Sequence, residues 1–520
     1  MNLVSPQSST VSEQPTRLAP LPKSMGGPLL ALLSLVLQAA PVQADVVGTG
    51  AGGLGTRVNG ANGGRCSGGL CRITGGTDAG RNRFHRFSEF DTRGPIQRVL
   101  FDSGQQRNLV VGVTSGAGSF IDKNIELSNP ANLFWLSPGG IHLSGGAGFV
   151  NVPSLTLSTA PQLGFAGGGV FDVFGSTPQQ VSSLTGLPLP GSSGLLDPLG
   201  TTAAGLITME GIDITIDKSL YADAVLGDLE VRASSINADS ADGVGGSVTL
   251  TGKRVGIDGQ SVLSANGASG GGLIQVGGSW QNSDPTVRQA QRAVVLQGSL
   301  LTASAADQGD GGTVVVWSDI TDPKSLTQVQ GSIEAKGGAT GGNGGRIETS
   351  GAGLEVNGIA INATAETGDN GLWLLDPTDI NIVDSLSSEV PEITFPGETS
   401  PGRFDFHDNL NDDPSAELLV RTIAAPLEEG NSVVVSTGNS SAVAPNGGTI
   451  TVSDPITVNS ASSSDSQLDL QADNNIVINA PISTNGSLAL AAENGSISGN
   501  GSSLTVGNDQ GDVLILEPGS

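Results

Sequence analysis

The sequence predicts an all-β chain wound as a parallel β-helix, a solenoid closed by an N-terminal β cap. Three observations carry this. First, beyond residue 140 short segments such as GGIHL, SLTLST, GIDITID, DLEVRAS and SVTLTG alternate apolar with small or polar residues and are bounded by Gly, Asn, Asp and Ser. Second, VGIDGQSVLSANGASGGGLIQV, LQGSLLTASAADQGDGGTVVVWS, VQGSIEAKGGATGGNGGRIETS and VNGIAINATAETGDNGLWLL share one plan of strand, Gly, strand, Gly-rich turn and strand. Their internal glycines, Gly259, Gly298, Gly331 and Gly358, drift between 27 and 39 residues apart, which a stack of coils tolerates and a propeller does not. Third, only 3% of the chain is aromatic, while 78 of its 520 residues are Gly. Inward side chains that stack on their equivalents above and below favour Val, Ile, Leu and Ala over large rings.

Composition sets the outer limits. There are 23 basic and 50 acidic residues, a net charge of −27. That field repels phosphate backbones, so no nucleic-acid partner is expected, and a basic membrane-surface helix is absent.

In chain order, residues 1–44 read as a signal peptide. Arg17 and Lys23 precede the apolar run GGPLLALLSLVLQAAP, and Val42-Gln43-Ala44 is a small-x-small cleavage site before Asp45. A buried or anchoring helix is the competing reading. Export places Cys66 and Cys71, in NGGRCSGGLCRI, where a disulfide closing a Gly-rich loop is expected. A metal site would need further ligands, and His occurs only at 85, 142 and 407; neither metal nor cofactor is expected.

A stack of coils about 4.8 Å apart, at roughly 20–25 residues per coil, would turn the mature chain into a rod on the order of 100 Å long. Its first coil needs a cap, because an open sheet edge templates strand addition. The aromatic-rich stretch LFWLSPGGIHLSGGAGF at residues 133–149 is a candidate part of that cap.

The runs ITGGTDAGRNRFHRFSEFDT (73–92), SFIDKNIELSNPANLFWLSPGGIHLSGGAGF (119–149) and NVPSLTLSTA (151–160) resemble the amino-terminal secretion domain of filamentous-haemagglutinin-type two-partner secretion exoproteins. The resemblance covers residues 45–175. It implies a right-handed parallel β-helix with an N-terminal cap. It also implies recognition by a dedicated outer-membrane transporter, a β-barrel with periplasmic transport-associated modules. The family's Asn-Pro-Asn-Gly-Ile motif falls on Ser137, Pro138, Gly139, Gly140 and Ile141, with both asparagines replaced. A Ser and a Gly still support a tight turn. The family's Phe-His-Ser-Phe pattern falls on Phe84, His85, Arg86 and Phe87, followed by Phe90.

On that basis Phe84, Phe87, Phe90, Phe134 and Trp135 are expected to form an aromatic plug closing the first coil, with the Pro-Gly-Gly turn starting the regular helix. Ordinary β-sandwich core is the alternative. Asn132, in the same run, joins the candidates for the cap and for transporter recognition, as does His85, read as a packed residue rather than a ligand.

Catalytic look-alikes are set aside. GAGGLG (50–55) fits G-x-G-x-x-G, but TRVNGANGG after it cannot open a helix. GASGG (267–271) fits G-x-S-x-G within a repeat turn. DFHDNLNDDPSAE (405–417) lacks the Gly and closing Glu of a calcium loop. Asp376 and Asp379 in WLLDPTDINI come closest to paired carboxylates, yet read as a coil ending at a Pro turn.

Residues 176–384 are thus expected to be Gly-rich β-helix repeats, 385–445 a less regular insert with a short helix, and 446–520 further coils. Within the insert, PSAELLVRTIAAPLEEG (414–430) is a weak helical pattern interrupted by Pro426 and feeding a strand. No terminal barrel of amphipathic strands precedes EPGS, so a separate transporter partner is expected. The functional expectation is a non-catalytic exported protein, secreted or at the cell surface by way of the periplasm and outer membrane. It would be adhesive or haemagglutinin-like and bind an unknown surface receptor or glycan. A secreted β-helix enzyme acting on polysaccharide is the alternative, and a stalk without a ligand a second.

Overall fold

The structure is a computed structural model that describes residues 44–198, 200, 205–387, 404, 406, 415–437, 447–460, 462, 465–506 and 513–516. All but Ala44 of the expected signal peptide lies outside these residues, as do His407 and much of 385–445.

The chain is a parallel β-helix. Strands return to three parallel ladders, one after another. The longest begins with Asn82–Asp91, Asn108–Val113, Asn132–Leu136 and Ser154–Ser158 and continues through Thr313–Trp317 and Leu372–Asp376 to Val513–Leu516. A second carries Ser119–Ile121, Ile141–Ser144, Ile207–Glu210, Arg292–Val295, Leu326–Val329 and Gly353–Glu355. A third runs from Gly69–Gly75, Ile96–Phe101 and Asn124–Leu127 to Gly148–Val150, and resumes from Asp213–Thr215 to Ala360–Asn362. The strands Ser219–Arg232 and Ser247–Ile257 are long enough to serve the first two ladders at once, bending at a register shift between Ala224 and Asp228.

Alternation along each strand, repeated coil after coil, builds the core. Ile121, Leu143, Met209, Val231, Ile257, Val295 and Val329 stand in register and are all buried. So do Leu109, Leu133, Leu155, Leu220, Val248, Ile274, Val314, Ile347 and Trp373. Each such side chain contributes roughly 1.5–3 kcal/mol on leaving water. Trp373 fits because its indole N–H donates to Thr349 Oγ of the preceding coil at 3.0 Å.

The Gly-rich turns have a steric cause. Gly246, Gly272, Gly312, Gly345 and Gly371 form a column at one corner, where each coil's carbonyl accepts an N–H of the next. A Cβ on Gly345 would sit 2.2 Å from the Gly312 carbonyl oxygen, inside any permitted contact. GASGG (267–271) lies along this corner, and GAGGLG (50–55) makes a turn closed by Gly53 N–H on the Gly50 carbonyl, followed by the strand Thr56–Val58 rather than a helix.

The short helix expected in the insert is Val420–Glu428, which feeds the strand Ser432–Ser436; it continues through Pro426 instead of being interrupted there, because the ring removes one N–H near the end of the helix and Glu429 N–H still reaches Ala425 O. One feature departs from the sequence expectation. Residues 160–197 leave the coil path and fold as a small antiparallel sheet of Gln162–Gly164, Val170–Asp172 and Leu195–Leu196, with the short helix Pro178–Val181. Among the described residues no helix is long and apolar enough to cross a membrane.

Candidate functional site

The first coils carry every site residue expected from sequence. Val46–Gly48 pairs antiparallel with Asn82–Asp91 and with Arg65–Cys66, Thr56–Val58 with Gly69–Gly75, and Thr77–Ala79 with Asn82–Asp91. These hairpins occupy edges of the first coil that would otherwise be open. Cys66 and Cys71 are joined in a disulfide. The Asp45 carboxylate accepts from Arg65 and from Ser67 Oγ, fastening the chain where the cap begins.

The five aromatics do not form a single plug. Phe87, Phe90 and Trp135 point into the coil, where Phe90 meets Trp135 edge-on at 4.5 Å and Phe101 joins them. Phe84 and Phe134 point outward and pack with Phe165 and Phe171 of the antiparallel sheet. The reason is the two-residue period of a strand: 85, 87 and 135 face in, while 84, 86 and 134 face out; Phe90, three residues from Phe87, regains the inward face past the register shift between Glu89 and Phe87. The outward pair is buried because residues 160–197 cover it. Arg86 belongs to that outward face and donates to the carbonyls of Asp172 and Ser176 at 3.0 and 2.8 Å.

His85 lies within the cap, its Nδ1 3.3 Å from Thr56 Oγ1 and its ring edge-on to Phe101. Burial, with the Arg83 charge adding, pushes its imidazole down to about 3. It is a neutral packed residue. Asn132 is the top of an amide column: it donates to Asn108 Oδ1 at 3.0 Å, Asn108 donates to Asn82 Oδ1 at 2.8 Å, and Asn82 donates to the Leu184 and Gly186 carbonyls. The column ties three coils to the outer module. Its members were legible as the Asn that opens NRFHRF, NLVVGV and NLFWL, and the short helix as the Thr177–Gln180 capping box.

The Ser-Pro-Gly-Gly turn is a corner of an established stack, not the start of the helix, since Asn82–Asp91 and Asn108–Val113 already pair in parallel before it. Gly140 N–H donates to Ser137 O, Ser137 N–H to Ser158 O, and Ile141 N–H to Leu206 O, each at 2.9 Å. Gly140 has φ +120°, and a Cβ on Gly139 would meet Ser115 O at 2.4 Å. Ser137 and Pro138 are buried. Far from this cap, Asp376 ends one strand and Asp379 opens the next, where Asp379 Oδ1 accepts Thr449 N–H at 2.8 Å; they flank a corner rather than a cleft. Of the acidic run 405–417 only Phe406 and 415–417 are described.

The family model of the TPS secretion domain, where TPS denotes two-partner secretion, matches residues 55–316, half of the chain. The chain belongs to the TPS secretion domain family. It is therefore an exoprotein exported across the outer membrane of a Gram-negative bacterium with a partner outer-membrane transporter. The matched span extends beyond the 45–175 of the sequence resemblance, and takes in the outer module and several Gly-rich coils. Among solved structures, the HMW1 secretion domain from Haemophilus influenzae is similar at 18% identity, covering 64% of this chain and 100% of that one, with a TM-score of 0.28. No curated protein matches.

Proposed function

We propose that this TPS exoprotein is directed out of the cell by a leader in residues 1–44 and by residues 45–175. It then acts as an adhesive, haemagglutinin-like structural protein, secreted or held at the cell surface, without catalysis. The observation that supports this most is the family match over residues 55–316, joined to a cap whose aromatic, amide and disulfide contacts close the first coils. In this reading Ser137, Pro138, Gly139, Gly140 and Ile141 act by letting the third coil close, because their corner is buried. Residues 205–384 and 446–520, with the strands Ser415–Leu419 and Ser432–Ser436 from the insert between them, are the stalk that presents binding surface.

A trough of about 390 Å³ beside the glycine column, lined by Asp310, Asn343, Arg346 and Asn370, offers amides and a guanidinium to a receptor or glycan. The test is retention of the purified exported protein on glycan arrays and on cells. Saturable retention supports the adhesive reading. Shortening of a polysaccharide without retention would establish the enzyme instead, and neither result would leave a stalk without a ligand.

A further inference from the structure

The charge of the chain is divided along its length. Residues 44–110 hold nine arginines, no lysine and five carboxylates, whereas residues 111–520 hold 12 basic and 44 acidic residues. An overall net charge of −27 thus conceals a cap of opposite sign.

Five of those arginines have work inside the protein. Arg65 pairs with Asp45, Arg83 with Asp78, Arg93 with Asp91, Arg98 with Glu126, and Arg86 is held by carbonyls. The other four, Arg57, Arg72, Arg81 and Arg107, are exposed, and their guanidinium groups have no ion pair or hydrogen bond within the described residues. Arg57 and Arg72 lie on neighbouring strands at the start of the third ladder, and Arg81 and Arg107 at the corner that follows it. Arg57 stands opposite Thr74, on the strand that carries Arg72 and runs into that corner. Arg81 follows the corner, and Arg107 occupies the same place one coil later, with its N–H donating to the Arg81 carbonyl at 2.9 Å. Like charges one coil apart repel. The nearby carboxylates do not relieve them: Asp78 is taken by Arg83, and Asp102 accepts the Gly104 N–H.

We propose that Arg57, Arg72, Arg81 and Arg107 form a docking face for a phosphate-bearing membrane surface, which the folded protein meets cap first. Arginine suits this partner because its planar fork engages phosphate oxygens in pairs, and because it is weakly hydrated and always charged. Multivalency follows from four such groups on two adjacent coils. Orientation follows from the rest of the chain, whose excess of carboxylates is repelled by the same surface. An exoprotein arrives beside a bilayer, so the surface is within reach once the chain has folded. The proposal is independent of the adhesive reading, since it concerns the cap and not the stalk.

The test uses the full exported chain and vesicles of phosphatidylglycerol with phosphatidylcholine, against pure phosphatidylcholine, read by flotation. Binding to the anionic vesicles alone is expected. It should weaken as salt shortens the screening length from about 30 Å at 0.01 M to about 8 Å at 0.15 M. The variant R57Q/R72Q/R81Q/R107Q should lose binding by about three orders of magnitude while melting like the native chain. K253Q/K324Q, which removes two exposed lysines outside the cap, should bind as before. Equal binding to both vesicle types, no binding to either, or full binding by the quadruple variant would overturn the proposal. So would saturation by inorganic phosphate at low millimolar concentration, which would mark a site for a single ion. Loss of binding to the soluble modules of the transporter in the quadruple variant, with vesicle binding absent, would reassign the face to an acidic protein.

Discussion

The indole N–H of Trp135 donates to Ser119 Oγ at 3.0 Å, and that hydroxyl donates onward to Ser137 Oγ at 3.0 Å. The inward ring of the cap is thereby wired to the Ser-Pro-Gly-Gly corner through a side chain of the preceding coil. S119A should leave the buried indole donor unpaired and destabilise the protein by about 1–3 kcal/mol. Urea unfolding followed by Trp fluorescence checks this; an unchanged midpoint would show that the relay is dispensable.

The amide column makes a stronger prediction. N108A removes one acceptor for Asn132 and one donor to Asn82 in a single change, so a loss of about 2–4 kcal/mol is expected. The outer module should loosen as well, because Asn82 holds the Leu184 and Gly186 carbonyls. Amide exchange at 184–187 reads that effect, and it should be faster in the variant.

Glycines divide sharply by position. G345A places a Cβ 2.2 Å from a carbonyl oxygen of the neighbouring coil, whereas a Cβ on Gly341 meets nothing within 4 Å. G345A should lower the melting temperature by many degrees and G341A should leave it unchanged. Similar melting of the two would contradict the assignment of the glycine column to close coil stacking.

Two buried groups set opposite pH trends. Glu348 accepts from Gln281 N–H and Ser350 Oγ, and burial pushes its pKa up to about 8 from an ordinary 4.5. The folded protein keeps a proton that the unfolded chain releases, so this stabilisation is complete below about 4.5 and is lost as pH rises through about 8. His85, pushed down to about 3, acts the other way: its contribution is full above about 6.5 and is lost as pH falls toward 3. E348Q should therefore match the native chain in urea midpoint at pH 5 and exceed it at pH 8.5. Parallel curves would refute the assignment.

The disulfide closes a short loop, so chain entropy assigns it only about 2 kcal/mol. C66S/C71S should fold, with a midpoint reduced accordingly. Failure to fold at all would mean that the cap nucleates around this bond.

The ladders were legible because inward Val, Ile and Leu recur at two-residue spacing between Gly-rich corners, and stacking preserves that pattern. The cap was legible as a place, through its concentration of aromatics and the family resemblance. How those aromatics divide was not, since Phe84 and Phe134 are outward residues buried only by residues 160–197, whose path over the sheet leaves no periodic mark. Pro426 misled for a local reason: its missing hydrogen bond falls near the end of the helix. The exposed arginines were hidden by the total, because net charge averages a basic cap with an acidic stalk.

The most direct measurement of the central claim is export with and without the co-expressed cognate transporter, for the native chain and for P138D/G140D. Transporter-dependent appearance of the native chain outside the cell is expected. Loss is expected in the variant, whose buried corner cannot accommodate either carboxylate. Equal appearance without the transporter, or folded native protein accumulating in the periplasm whatever the partner, would contradict the account.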